Sequence, residues 1–450
     1  MTATPWERIP YGPWAETVVV PQVPPDASAL TRKDLPATLR PVAGDGVVQH
    51  PVFDPSAGHH AMGMRLSEPR FADARTGEAW FEARRQALEH VLEAIAGSEW
   101  AGHLVLRGSM LLKAWFGDAA REPGDLDFVV VPDSWGLADD RTDAMLDGIA
   151  RAAEVASCEG GAVRIDAAGA VSDAIWTYDR VPGRRLVLPW APGAEGLPPG
   201  TVQLDFVFNE PLPVPAAPTE IPRRRPGHRP LVLRAATPEL SLAWKLLWLV
   251  TDMYPEAKDL YDAVLLAEST HLSYDLLHPL LVASEEYPRD SGSIPLDHFV
   301  RAATQADWFE FAKDHPGLPA RQETAYATRL TFALAPTFAP AEAGTYARLA
   351  AAFEHLTAQL RETVLTTSGM GSVGSWLVER SLPAVCAVVI TRELLGRGTC
   401  SLQDAADVAA SFRGARFGEP LYAPGSKYGD PHDIAARLEA VAAGAGLRKC

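Results

Sequence analysis

Asp125 and Asp127 stand one residue apart in a run that is otherwise apolar, Asp125-Leu126-Asp127-Phe128-Val129-Val130-Val131. Side chains of a strand alternate between its two faces. The spacing therefore sends both carboxylates one way and Leu126, Phe128 and Val130 the other. Such a strand belongs in a sheet with one face buried and the other facing something polar. Two carboxylates on one face also repel each other unless positive charge lies between them. A divalent cation is the usual answer, and Mg²⁺ favours oxygen ligands of this kind together with substrate phosphates. A solvated strand end near a turn is the plain alternative.

Upstream, His103-Leu104-Val105-Leu106-Arg107 reads as a short strand that Gly108-Ser109 ends, and Met110 to Phe116 reads as a helix. Glycine lets backbone N–H groups approach a phosphate closely, and a helix N-terminus favours an anion. Gly108 and Ser109 are thus candidate phosphate-binding residues. Downstream, Val202-Gln203-Leu204-Asp205-Phe206-Val207-Phe208 predicts another strand with a single aspartate inside it. Set beside the Asp125 strand, Asp205 would complete a metal triad of Asp125, Asp127 and Asp205, or act as base on an attacking hydroxyl. An edge or turn-facing aspartate is its bland reading.

The order of elements predicts an α+β fold. Phe81 to Ile95 has apolar residues at helical spacing, and a helix is expected from about Arg141 to Ser157. Short strands separated by turn signals such as Pro182-Gly183 follow, giving a mixed sheet. Residues 1–75 are proline-rich and read either as a β-containing wrap or as a partly disordered leader. Residues 76–236 form the expected catalytic core and 237–450 a mostly helical region. Thr237-Pro238-Glu239 opens that region with an N-cap, a proline at the first helical position and a carboxylate at the positive end of the dipole. Further helices are expected over Tyr346 to Leu365 and Ile434 to Ala443, with Gly444 and Gly446 ending the last.

Gly108-Ser109, fifteen intervening residues and Asp125-Leu126-Asp127 resemble the glycine-serine plus Asp-x-Asp signature of the polymerase-β-like nucleotidyltransferase superfamily. The closer resemblance is to the AbiEii/AbiGii toxin branch, whose Arg-x-x-x-Asp-hydrophobic-Asp stretch here is Arg121 to Asp127. That branch also has a later lysine-bearing helix and a Lys-Asp-hydrophobic-x-Asp element. They correspond to Glu239 to Leu246, with Lys245, and to Lys258-Asp259-Leu260-Tyr261-Asp262. The resemblance covers roughly residues 80 to 270. The gap after Ser109 is longer than in compact members of the superfamily, and Gly117 to Gly124 is expected to absorb the excess.

Lys245 also stands out on its own terms. Leu240, Leu242, Ala243, Trp244, Leu246, Leu247 and Trp248 surround it, so its helix is apolar nearly all round. At about 100° per residue, Ser241, Lys245 and Asp252 share one narrow polar stripe. The resemblance implies that Lys245 contacts the triphosphate and that Asp259 and Asp262, with Lys258, sit at the active site. The stripe is what a helix facing a polar cleft would show; the plain alternatives are a lysine that snorkels to the surface, and a solvated face for Asp259 and Asp262, on which Lys258 can pair with Asp262 four residues on.

Other signals are weaker. Gly369-Met370-Gly371-Ser372-Val373-Gly374 matches a dinucleotide-binding pattern but follows a helical stretch, so a joint between helices is expected. His50, His59 and His60 lack the helical spacing of a zinc pair. Arg223-Arg224-Arg225-Pro226-Gly227-His228-Arg229 is a basic cluster that can reach phosphates or can be a solvated loop. The net charge of −16 argues against broad nucleic-acid binding. The cysteines Cys158, Cys386, Cys400 and Cys450 form no C-x-x-C pair, which suits reduced thiols in a cytoplasmic protein. Neither a signal peptide nor a membrane segment is evident.

These features lead us to expect a Mg²⁺-dependent enzyme that moves NMP from an NTP to a hydroxyl acceptor. The resemblance implies a toxin of a toxin–antitoxin or phage-defence pair, with a tRNA acceptor end as target and an antitoxin as partner. Two alternatives remain: a small-molecule hydroxyl as acceptor, as in antibiotic modification or biosynthesis, and a degenerate transferase kept as a binding module.

Overall fold

A computed structural model describes residues 4–444 except 55–59, 159–161, 179–180, 224–226, 253, 285–291, 316–317, 320, 340–342, 364–368 and 415–417. The chain divides into two compact units, Met1–Thr237 with Lys313–His315, and Pro238–Ala312 with Pro316–Cys450.

The first unit begins with the proline-rich segment, which has a core of its own. Trp6, Ile9, Trp14, Val20, Leu35, Leu39, Met62 and Met64 are buried together, with helix α1 (Ala27–Lys33) alongside. The two tryptophans bury large apolar areas, and each indole N–H donates to a backbone carbonyl, of Val23 and of Pro10. Four short strands follow: β1 (Val47–Val48), β2 (Pro51–Phe53), β3 (Met64–Leu66) and β4 (Arg70–Phe71). β2 pairs with β3 and β1 with β4, both antiparallel. Buried Lys313 donates to the carbonyl of Trp14, and Asp314 pairs with Arg65 at 2.7 Å and accepts from the Glu68 N–H.

Helix α2 (Ala74–Ala96) starts earlier than its apolar spacing suggests, because Asp73 caps it by accepting from the Thr76 N–H at 2.9 Å. Then come β5 (Leu104–Arg107), α3 (Ser109–Phe116), β6 (Asp125–Val130) and α4 (Asp140–Cys158). The turn from Gly117 to Gly124 contains one short 3₁₀ turn and is anchored by Glu122, which pairs with Lys113 and Arg85. Six further strands complete the unit: β7 (Val163–Ile165), β8 (Val171–Tyr178), β9 (Val181–Pro192), β10 (Gly200–Val207), β11 (Ala217–Ile221) and β12 (Leu231–Ala235).

These build an eight-stranded sheet in the order β11-β12-β5-β6-β10-β9-β7, with β8 also on β9. β10 runs parallel to β6 and β12 parallel to β5, while the other pairs are antiparallel. The sheet is mixed and the fold is α+β, as expected. Its apolar face is set by strand parity. Leu126, Phe128, Leu204 and Phe206 are fully buried there, with the Phe128 and Phe206 rings stacked at 5.6 Å. Trp190 lies on that face too, and Trp80 of α2 packs on it at 5.5 Å.

The second unit is helical among the described residues: α5 (Pro238–Thr251), α6 (Ala257–Ala267), α7 (Tyr274–Ala283), α8 (Leu296–Thr304), α9 (Trp308–Asp314), α10 (Glu323–Leu334), α11 (Thr345–Ala352), α12 (Glu354–Thr363), α13 (Val373–Glu379), α14 (Ala384–Leu395), α15 (Leu402–Ala410) and α16 (Pro431–Ala442). The last two residues of α9 count with the first unit. The helix expected over Tyr346 to Leu365 is two helices. The chain breaks at Phe353 (φ −101°, ψ 8°), a fully buried side chain at the joint, and Leu365 lies outside the described residues. Glycines 369 to 374 lead through a 3₁₀ turn into α13, and Gly374 is pressed against Phe412. Gly444 follows α16 at φ +85°, and Gly446 lies outside the described residues. Cys158, Cys386 and Cys400 are free thiols, and Cys450 lies outside the described residues. No described helix is long and apolar enough to cross a membrane.

Candidate active site

The register of the sheet assembles a row of charges. Asp127 on β6 lies opposite Arg107 on β5 and Asp205 on β10. Asp205 lies opposite Arg185 on β9, which in turn lies opposite Asp173 on β8. Directly paired residues project to the same face, so Arg107, Asp127, Asp205, Arg185 and Asp173 form one line across five strands. Asp125 is two residues back along β6 and shares that face, opposite Gln203.

Asp125, Asp127 and Asp205 each bring one carboxylate oxygen within 4.8 Å of the others. Two unit charges at that separation repel by roughly 3–4 kcal/mol at an effective dielectric near 20. Arg185 offsets part of this. Its Nε donates to Asp205 Oδ1 at 2.9 Å and its Nη2 to Oδ2 at 2.8 Å, while Gln203 donates to Oδ2 at 3.2 Å. Burial alone weakens the Arg185 charge, but Asp205, Asp54 and Asp125 outweigh it and hold the guanidinium protonated. Burial pushes the Asp205 carboxyl above its ordinary value against the pull of Arg185. Three hard oxygen donors with surplus negative charge suit a hard divalent cation.

Gly108 closes the site on one side. Its backbone is at φ +79° and ψ −157°, a region essentially reserved for glycine. A Cβ there would lie 2.0 Å from Asp127 Oδ2. The carboxylate therefore rests against the bare backbone of the β5–α3 turn. Ser109 opens α3, is fully buried, and its Oγ lies 3.4 Å from Asp125 Oδ1. Sequence reasoning missed Arg185, Gln203 and Arg107 as members of this face. A Gly-Arg-Arg stretch in a strand offers no sign of which arginine meets an aspartate twenty residues later.

The second unit holds the remaining candidates on α5 and α6. Lys245 does not snorkel to the surface: it is buried, with Nζ 2.7 Å from Asp259 Oδ1 and 3.1 Å from Asp262 Oδ2. The ammonium also lies over the Trp248 ring at 4.9 Å. Asp259 and Asp262 are themselves buried, so their face is not a solvated one. Lys258 pairs with Glu256 at 2.9 Å, and Asp262 pairs with Lys245. The reason is packing: α5 lies against α6, and a buried carboxylate takes the cation buried with it. Ser241 Oγ, one turn before Lys245, is buried without a hydrogen-bond partner among the described residues. Asp252, Glu256 and Asp259 bring one oxygen each within 4.8 Å of one another.

The basic cluster is only partly described, since Arg224, Arg225 and Pro226 lie outside the described residues. Arg223 pairs with Glu89 at 2.7 Å and Glu93 at 2.8 Å on α2, a structural clamp. His50 is buried with Nδ1 2.8 Å from the Val18 carbonyl, His60 lies 3.7 Å from Asp34, and His59 lies outside the described residues.

A mixed sheet that presents an Asp-x-Asp strand beside a glycine-serine turn, with a third aspartate on the parallel neighbour, defines the nucleotidyltransferase class. The particular family follows from sequence: the model of the AbiEii nucleotidyl transferase toxins of type IV toxin–antitoxin systems matches residues 90–335, and the chain belongs to that family. It is thereby a nucleotidyltransferase. Among solved structures, it is similar to MenT4, a nucleotidyltransferase toxin from Mycobacterium tuberculosis H37Rv. The two are 19% identical with a TM-score of 0.34, over 59% of this chain and 95% of that one. No curated protein matches the chain.

Proposed function

We propose that this chain is the toxin of a toxin–antitoxin or phage-defence pair and that it transfers NMP from an NTP to a hydroxyl acceptor with Mg²⁺ held by Asp125, Asp127 and Asp205. The observation that carries this is the convergence of the three carboxylates within 4.8 Å, against the bare backbone of Gly108. In this reading Asp125, Asp127 and Asp205 would hold the cations, and the N-terminus of α3 at Gly108 and Ser109 orients phosphate. Asp205, the third carboxylate of the set, also stands where it can accept the proton of the acceptor hydroxyl. The acceptor oxygen bonds to the α-phosphorus as the bond to the β-phosphate bridging oxygen breaks, and pyrophosphate leaves. Mg²⁺ supplies charge neutralisation for the attacking and leaving oxygens. Lys245, with Asp259 and Asp262 setting its ammonium, and Lys258 are assigned to phosphate charge by the family resemblance.

A macromolecular acceptor such as a tRNA end fits the family, and an antitoxin protein is the expected partner. A small-molecule hydroxyl acceptor is the second reading. It is favoured by the net charge of −16 and by Arg223, which is committed to Glu89 and Glu93 instead of a docking surface. Purified protein with Mg²⁺ and labelled NTPs distinguishes these. Labelled tRNA that Asp127→Ala abolishes supports the toxin reading, and label on small hydroxyl compounds alone supports the second. Wild-type protein that neither binds nor transfers nucleotide would sink both and leave a binding module.

A further inference from the structure

We propose that Asp54 and Arg185 are positioning residues of the active site: Asp54, from the proline-rich segment, holds the Arg185 guanidinium so that its fork fixes the plane of Asp205 for metal binding. The inference rests on the metal reading above.

Asp54 follows β2 in a segment that the family match, residues 90–335, does not include. Nothing in the sequence around it suggests chemistry. Its backbone N–H donates to the Gly63 carbonyl at 2.8 Å, which ties it into the β2–β3 hairpin. That hairpin sits on the buried cluster of Trp6, Trp14, Met62 and Met64, so the position of Asp54 is set by a packed core. Its side chain is only 5% exposed, and its Oδ2 lies 3.6 Å from Arg185 Nη2. The same nitrogen donates to Asp205 Oδ2 at 2.8 Å.

Arg185 is thus gripped from two sides. Asp205 takes two donors of its fork, and Asp54 approaches one of the same nitrogens, Nη2, at 3.6 Å. The proline-rich segment also reaches the charge row at a second point, where the Thr38 N–H donates to Asp173 at 2.7 Å, opposite Arg185 in the sheet. A bidentate guanidinium orients a carboxylate plane as well as neutralising it. Both oxygens of Asp205 are held by Arg185, and one of them lies within 4.8 Å of an oxygen of Asp127 and of Asp125. Asp54 contributes in two ways. It prevents the guanidinium from swinging toward Asp127, and it adds negative charge that keeps the net charge of the cluster favourable to a cation. Partners of this kind behind metal ligands typically tune metal affinity by about 10–100-fold.

The test is Mn²⁺ binding to the full-length protein, counted by EPR titration, with thermal unfolding of each variant measured in parallel. Wild type binds Mn²⁺ and Asp127→Ala does not. Asp54→Asn weakens Mn²⁺ binding by about 10-fold, and Asp54→Glu, which restores the charge, recovers most of it. Arg185→Lys keeps the charge but loses the fork, and it too weakens binding; it carries the test if Asp54→Asn fails to fold. Asp54→Asn with a lowered unfolding temperature and unchanged Mn²⁺ affinity overturns the proposal, because Asp54 is then only part of the scaffold. Tighter Mn²⁺ binding by Arg185→Lys also overturns it, because Arg185 is then a competitor of the cation. A wild-type protein that binds no Mn²⁺ overturns the metal reading itself, and this inference with it.

Discussion

Replacing Gly108 by alanine adds one methyl group where the site has no room for it. Two costs follow from the geometry. The backbone is at φ +79° and ψ −157°, and a non-glycine residue there costs about 1–3 kcal/mol in strain. The added Cβ would also lie 2.0 Å from Asp127 Oδ2, 2.9 Å from its Cγ and 3.1 Å from its Cβ. Something must move, and overpacking of this kind costs about 1–3 kcal/mol. The sum, about 2–6 kcal/mol, is a large share of the 5–15 kcal/mol that typically separates folded from unfolded chains. Asp127 is the softer of the two bodies in contact, so the collision displaces the carboxylate before it separates β5 from β6.

Two control glycines separate the terms. Gly117 is also in backbone that favours glycine, at φ +55° and ψ −126°, but a Cβ there meets nothing within 4 Å, so Gly117→Ala reports strain alone, about 1–3 kcal/mol. Gly102 has neither problem, and Gly102→Ala stays within about 0.5 kcal/mol of wild type. Thermal unfolding should rank the variants Gly102→Ala, Gly117→Ala, Gly108→Ala from most to least stable. Nucleotidyl transfer per folded molecule should fall only for Gly108→Ala. A Gly108→Ala protein at least as stable as Gly117→Ala and with wild-type transfer would refute the argument that Asp127 depends on a bare backbone.

Arg223→Ala removes the partner of Glu89 and Glu93. One of these carboxylates is nearly buried and the other about a third exposed, so the expected loss is about 2 kcal/mol, below the 3–5 of a fully buried pair. Urea unfolding should show that loss while transfer per folded molecule stays unchanged; a selective loss of transfer to RNA would instead make Arg223 a docking residue. Asp314 gives a pH dependence. Burial raises its proton affinity, but Arg65 and the Glu68 N–H outweigh this and hold its carboxyl below the ordinary range. A group depressed in the folded state contributes stability that is complete above its unfolded value, near 4, and is lost as pH falls through the folded value. Asp314→Asn should therefore flatten the decline of the unfolding temperature below about pH 4 and cost stability at pH 7; an acid limb identical to wild type would remove Asp314 from the account.

How much of this was legible in the sequence depends on the range of the interaction that decides each feature. The common face of Asp125 and Asp127 follows from strand periodicity within three residues, and the Gly108-Ser109 turn from the end of one short apolar run. Asp205 was visible as a charge out of place in a strand, although its neighbours were not. On α6, i, i+4 spacing sees only the partners that one helix offers. The cation that satisfies Asp262 comes from α5, and burial decides in favour of Lys245. The break at Phe353 has no proline or glycine to announce it. The proline-rich segment hid its core because Trp6, Trp14, Met62 and Met64 are too far apart for any periodic pattern.

Arg185 shows the limit most clearly. Two adjacent arginines, Arg184 and Arg185, precede an apolar run, and strand parity says only that they face opposite ways. Which of them meets Asp205 is a matter of register between β9 and β10. A one-residue slip would pair Asp205 with Arg184 or Leu186 and turn the wrong face of β9 toward the carboxylates. The register is fixed instead by the apolar side: Leu186 and Leu188 must lie level with Leu204 and Val202, and Trp190 with Gly200, where a Cβ would come within 2.6 Å of both Trp190 and Trp80. Gly200 thus does at a distance what Gly108 does at close range. It allows two tryptophans to close over the far end of β10, and that closure sets the alignment that brings Arg185 opposite Asp205. The charged face of the sheet is positioned by the packing of its apolar face, which is why a search for chemical motifs finds the aspartates and not the arginine that holds one of them.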